Sequence, residues 1–146
     1  MKKRYTVKKG IIMNTLTNTT ILLVDDNVDS CDLLRFAFEQ SGASVVAAHS
    51  VNAALEAFRQ CPAHAVIADI RIGTSDGYEL LKAIRDTNAE YKGFTPVIAV
   101  TGFASPEDKD RAVAAGFCAY FSKPFNPLDV VETVEKLLSN PQDQAA

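Results

Sequence analysis

The chain has 146 residues, 47% of them apolar, and a formal net charge of −3. That length suits one domain and the apolar share is enough for a packed core, so a disordered chain is excluded. The mildly acidic balance excludes a general affinity for nucleic acid or anionic membranes. The three cysteines, Cys31, Cys61 and Cys118, are widely spaced and form no CxxC pair, which points to a reduced, cytoplasmic setting.

Residues 1–18 are basic and polar, without the apolar run of roughly 7–15 residues that a signal peptide needs. They read as a mobile lead-in, residues 140–146 as a polar tail, and 19–139 as the domain. No stretch approaches the roughly 18 apolar residues of a membrane span. Within the domain, short apolar runs alternate with longer amphipathic segments. ILLV at 21–24 reads as the first strand, followed by a helix over 29–40 that carries Leu33, Leu34, Ala37 and Phe38 and stops at Gly42. SVVAA at 44–48 is the second strand. A helix over 50–61 follows, capped by Ser50, striped by Ala54, Leu55 and Phe58, and ended by Pro62.

AVIA at 65–68 is the third strand. The next helix runs over 77–87 with Asp76 as cap and Leu80, Leu81 and Ile84 facing inward. PVIAV at 96–100 is the fourth strand. Ser105-Pro106 then opens a helix that Gly116 closes. CAYF at 118–121 is the fifth strand, and Asn126-Pro127 opens a last helix to Leu138 with Leu128, Val131, Val134, Leu137 and Leu138 as its stripe. Several runs are apolar without alternation, as expected of parallel strands covered on both faces. Five strand–helix repeats in this length predict a doubly wound, flavodoxin-like α/β fold with five parallel strands in the order 2-1-3-4-5.

The chemistry lies in how the strands end. The first ends in Asp25-Asp26, the third in Asp69, the fourth in Thr101-Gly102 and the fifth in Ser122-Lys123-Pro124. In this fold ligands bind beyond the carboxyl ends of the strands, where the strand order reverses, between strands 1 and 3. Taken alone, Asp25-Asp26 is a solvated loop or helix cap, Thr101 a turn residue and Lys123 a surface charge. Together they form a pocket of three carboxylates with a hydroxyl and an ammonium beside it. Three gathered carboxylates repel and call for a cation. With no His or Cys in the cluster, a hard oxygen-seeking ion such as Mg²⁺ fits better than zinc. A carboxylate nucleophile, a metal, a lysine and a hydroxyl are what phosphoryl transfer to Asp69 needs.

LLVDDN at 22–27, VIADI at 66–70 with Asp76-Gly77 after it, VTG at 100–102, AAG at 114–116 and KPF at 123–125 together resemble the receiver domain of two-component response regulators over about residues 20–138. AVAAGFCAYFSKPF resembles receivers of hybrid histidine kinases. The resemblance implies that Asp69 accepts a phosphoryl group from a sensor histidine kinase or histidine phosphotransfer protein. It implies that Asp25, Asp26, Asp69 and the backbone carbonyl of Arg71 hold Mg²⁺, Asp26 more directly than Asp25. Lys123 would pair with the phosphoryl group across a cis bond to Pro124. Thr101 would swing to a phosphoryl oxygen, and Tyr120 would rotate inward behind it, coupling the site to the face of helix 4, strand 5 and helix 5. It implies a phosphoacceptor that catalyses its own phosphorylation and dephosphorylation rather than an enzyme turning over a substrate. Its output would be contact with a downstream protein or onward phosphotransfer, with no direct role for nucleic acid or membrane. A homodimer through the same face is also open.

Other readings stand beside it: a Mg²⁺-dependent phosphohydrolase with Asp69 as transient nucleophile, a flavin-binding flavodoxin relative, and a degenerate receiver that only binds partners. Acids rather than a Ser/Thr/Gly loop after strand 1 disfavour the flavin. Ile72-Gly73 stands where receivers commonly carry Met-Pro, and Gly loosens a loop that Pro would stiffen. The cysteines read as small apolar fillers, and His49 and His64 as loop or strand-edge residues. Arg71 and Phe103 are expected to flank the phosphoryl site and restrict attacking water. Arg71→Ala and Phe103→Ala should each shorten the lifetime of the phosphorylated protein; unchanged lifetimes sink that role.

Overall fold

The computed structural model describes residues 15–72, 75–102 and 105–139. The calls on residues 1–14, Gly73, Phe103 and 140–146 lie outside the described residues. The elements run β1 (Thr20–Val24), α1 (Val28–Gln40), β2 (Ser44–Ala48), α2 (Val51–Gln60), β3 (Ala65–Asp69), β4 (Arg71–Ile72), β5 (Ser75–Asp76), α3 (Gly77–Tyr91), β6 (Val97–Thr101), α4 (Pro106–Ala115), β7 (Ala119–Ser122) and α5 (Pro127–Ser139). The main sheet is wholly parallel, in the order β2-β1-β3-β6-β7. This is the expected order of five strands; β4 and β5 form a separate two-residue antiparallel pair that the sequence did not announce.

The sheet is buried on both sides because its central strands β3 and β6 are apolar at every position before their last residues, Asp69 and Thr101. Leu22 and Val24 of β1 share one core with Phe58 of α2, Leu80 and Ile84 of α3, and Phe117. The alternate residues Ile21 and Leu23 share the other with Leu34 and Phe38 of α1 and Val130 and Val134 of α5. A period-two strand thus feeds two layers at once. The central strands β3 and β6 are buried along their whole length, whereas the edge strand β2 is partly exposed.

Ser50, Asp76 and Ser105 cap their helices as expected, and Asn27, which the sequence did not single out, caps α1; each accepts a backbone N–H from the first turn. Ser105 and Asp108 complete a reciprocal capping box, with Pro106 in the first turn. Four expectations are corrected. Leu33 and Leu128 were read into the buried stripes but are 59% and 65% exposed. The core faces are Cys31, Leu34, Ala37 and Phe38 on α1, and Val130, Val131, Val134 and Leu137 on α5. Leu16, assigned to the lead-in, is 2% exposed, and its N–H donates to the Ser41 carbonyl, so the packed chain reaches back at least that far.

Finally, α3 does not stop at Thr87 but continues to Tyr91, ending on Lys92 in the left-handed region at φ 53°. The cause is polar and buried. The Asn88 amide donates to Thr95 Oγ1 at 3.0 Å, and its oxygen accepts the Thr95 N–H at 3.1 Å. The Arg85 guanidinium also donates to that oxygen and to the Thr95 carbonyl, at 3.1 and 2.7 Å. A hydrophobic period cannot reveal a helix turn held by such a network. Asn88→Ala should cost about 2–3 kcal/mol in urea unfolding, because a buried Thr95 N–H loses its acceptor; a loss below about 0.5 kcal/mol would mean the network is replaceable by water.

Candidate functional site

The parallel register decides which side chains meet. Val24 lies opposite Ala68, so the residues that follow, Asp25 and Asp69, emerge level with one another at the carboxyl edge of the sheet. Asp69 pairs with Val100, which places Thr101 one step farther along β6, and Thr101 pairs with Ser122, which places Lys123 just beyond β7. The chain runs from β1 out to β2 and returns past β1 to β3. The helix connections therefore diverge between β1 and β3, leaving a crevice there.

In that crevice the Lys123 ammonium bridges two buried carboxylates, at 2.9 Å from Asp25 Oδ2 and 2.9 Å from Asp69 Oδ2. The remaining oxygens take backbone donors: Asp25 Oδ1 accepts the Asn27 N–H at 2.8 Å, and Asp69 Oδ1 accepts the Arg71 N–H at 3.0 Å. Each buried acid is thus held in one orientation. Asp26 is exposed, and one carboxylate oxygen from each of Asp25, Asp26 and Asp69 lies within 4.8 Å of the others. These oxygens fit a hard cation: all donors are oxygens, and one acid faces solvent, where an ion that keeps several waters can enter.

The electrostatics agree. Burial pushes the Asp25 carboxyl above its ordinary range and the Asp69 charge adds to this, although the Lys123 and Asn27 hydrogen bonds pull it back. Burial pulls the Lys123 ammonium down, but its bonds to Asp25 and Asp69 and their charges outweigh that, so its pKa lies above the ordinary value. One ammonium faces three carboxylates, and charge compensation is incomplete without a cation.

The backbone supports this arrangement. The Lys123–Pro124 bond is cis, as expected, and the Lys123 N–H donates to the Thr101 carbonyl at 2.8 Å. The Thr101 side chain is fully buried. Gly77 fits close against the end of β3: its N–H donates to the Ile70 carbonyl, and a Cβ there would lie 2.7 Å from the Asp69 carbonyl oxygen. This is why the residue after Asp76 has no side chain. Tyr120 is half-buried beside the core shared with α2 and α3; burial raises its pKa, and Asp108 and Tyr78 add to this. Arg71 is exposed, and its side chain lines a small cavity beside Thr101.

Some contributors were not read from the sequence. His49, taken as a loop residue, places Nδ1 2.8 Å from the Asp25 carbonyl. Cys31, taken as a filler, points its thiol at the same carbonyl from 3.7 Å, and its pKa is pushed up to about 11, chiefly by burial and then by Asp25. Both steady the backbone of an acid. Such a contact leaves no signal in the chain, because it depends on which loop ends on which helix.

The family model described as the response regulator receiver domain matches residues 21–135. An uncharacterised 14.6 kDa protein from the sodA1 3′ region of Leptolyngbya boryana is 37% identical over 125 residues, covering 85% of this chain and 93% of that protein. The polar-differentiation response regulator DivK of Brucella ovis is 31% identical over 121 residues, covering 83% and 97%. Against the transcriptional regulatory protein ZraR of Salmonella typhimurium the match is 32%, covering 86% of this chain but only 28% of that protein. The chemotaxis response regulator CheY4 of Vibrio cholerae superposes with a TM-score of 0.72 at 28% identity, covering 82% of this chain and 98% of that one.

If the three acids form the cation site, Mg²⁺ at roughly 100 times its dissociation constant should stabilise the fold by about 2.7 kcal/mol. Asp26→Asn should melt above the wild type without metal and gain little from Mg²⁺. A wild-type melting temperature indifferent to Mg²⁺ would count against the site.

Proposed function

Because the chain belongs to the response regulator receiver domain family, we propose that it is a phosphorylation-driven signalling switch whose acceptor is Asp69. The observation that carries this reading is the held Asp69 carboxylate: buried, oriented by the Arg71 N–H, paired with Lys123 and flanked by Asp25 and Asp26. In the reaction, an Asp69 oxygen forms a bond to phosphorus as the bond from phosphorus to the donor's imidazole nitrogen breaks. Receiver domains interact with histidine kinases or phosphotransfer proteins, and one of these is the donor in this reading.

Each surrounding group has a task. The buried site excludes bulk water from the acceptor, and the fixed carboxylate lowers the entropic cost of attack. Lys123 is close enough to exchange a carboxylate contact for a phosphoryl oxygen, as a point charge suited to phosphate. Asp25, Asp26 and Asp69 would hold Mg²⁺, with the Arg71 carbonyl as a fourth protein ligand. Bound there, the ion offsets the carboxylate charge and the charge on the transferring group. Thr101 supplies a hydroxyl to the new phosphoryl oxygen. Tyr120 follows it inward, and the surface of α4, β7 and α5 changes for a downstream protein or a second copy of the chain to read.

The protein in this reading catalyses its own phosphorylation and dephosphorylation but turns over no other substrate, and works in the cytoplasm. Cys31, Cys61 and Cys118 are all free thiols, in keeping with a reducing compartment. No helix among the described residues is long and apolar enough to cross a membrane.

Acetyl phosphate with Mg²⁺ should add the mass of one phosphoryl group to the intact protein. Asp69→Asn and metal chelation should each abolish the gain, and Lys123→Ala should slow it by about 10²-fold or more, the scale of losing one charge-stabilising donor. An unmodified wild type would overturn the phosphoacceptor reading in favour of a partner-binding module. Steady release of phosphate from small phosphomonoesters would favour a hydrolase.

A further inference from the structure

The helices differ sharply in how they are anchored. Each of α1, α2, α3 and α5 buries at least three side chains in the core, whereas α4 buries only Ala112. A ten-residue helix with one buried methyl group has little apolar area to fix its position. Its N-terminus is closed internally by the Ser105–Asp108 box, which holds the helix together but does not tie it to the sheet.

A cation–π contact links it to α3. The Arg111 guanidinium lies over the Tyr78 ring, 4.5 Å from its centroid, and Tyr78 meets the Phe117 ring edge-on at 5.5 Å. Arg111 belongs to α4, Tyr78 to the first turn of α3, and Phe117 to the turn leading into β7 and the core beneath it. Arg111 and Tyr78 help to line a cavity of about 100 Å³ whose walls are Ile70, Arg71, Tyr78, Thr101, Asp108 and Arg111. The tether of α4 therefore closes over Thr101, one residue beyond the strand position at which Val100 pairs with Asp69.

We propose that the Arg111–Tyr78 stack is a state-dependent latch: it holds α4 over the Thr101 cavity and favours the resting arrangement of the α4 surface. Movement of Thr101 toward the crevice removes one wall of the cavity, and α4 then settles differently only if Arg111 leaves the ring. Arg111 and Tyr78 are positioning residues, not catalytic ones. The latch rests on the receiver reading for its biological use, but its physical existence is independent of phosphorylation.

Amide hydrogen exchange on the full chain tests it. Arg111 is exposed, so Arg111→Gln removes the cation with no loss of core. Exchange in α4 should rise roughly three- to tenfold, with α1, α2 and α5 unchanged. Tyr78→Leu should give the same rise, the double variant no more than either alone, and Arg111→Lys an intermediate value. In Mg²⁺, beryllofluoride, a tetrahedral phosphoryl mimic, should bind Arg111→Gln roughly three- to tenfold more tightly than wild type, because the latch no longer opposes the shift. Unchanged α4 exchange in both single variants, or additive effects in the double variant, overturns the latch. Absence of beryllofluoride binding to the wild type would instead count against the receiver chemistry, and the exchange data would still decide the latch.

Discussion

The site is organised by one ammonium group between two buried carboxylates. Lys123 reaches Asp25 and Asp69 at the same distance, 2.9 Å, and without it two acids would lie side by side below the surface with no compensating charge. A buried pair stripped of one partner is strongly unfavourable, so the positions of β1, β3 and β7 at their carboxyl ends are coupled through this lysine. The coupling is also incomplete, since Asp26 adds a third carboxylate. A site with this excess of carboxylate is one that a cation would complete.

That arrangement depends on register. A shift of one residue between β1 and β3 would turn Asp25 or Asp69 to the opposite face of the sheet and move an apolar neighbour into the crevice. Register is protected by the two cores, because Leu22 and Val24 belong to one and Ile21 and Leu23 to the other. The polar site and the apolar layers are thus two results of the same strand alternation.

Much of this was readable in the chain. Apolar runs without alternation announced parallel strands, and Asp25, Asp69, Thr101 and Lys123 stood out because each falls where a strand ends. The cis bond before Pro124 followed from the resemblance rather than from any local pattern. What escaped was what depends on packing between distant segments. The last turn of α3 is held by Asn88 and Thr95, polar residues that a search for apolar periodicity passes over. Leu33 and Leu128 were placed inward because they are apolar, but adjacent residues on a helix point in different directions and only one face can meet the sheet. His49, Cys31 and Arg111 gain their meaning from partners that lie far away along the sequence.

Gly77 has a mechanical consequence. Its backbone lies so close to Asp69 that no side chain fits between them, and its N–H is bonded to the Ile70 carbonyl. The Asp69 segment and the start of α3 are therefore fused into one stiff piece, backed by the buried face of a 15-residue helix. On the other side of Thr101 the structure is compliant, since α4 has a single buried residue. A strain raised at Asp69 is shared between these sides in inverse proportion to their stiffness, so most of the displacement falls on α4. The crevice thus has an anvil on one side and a spring on the other.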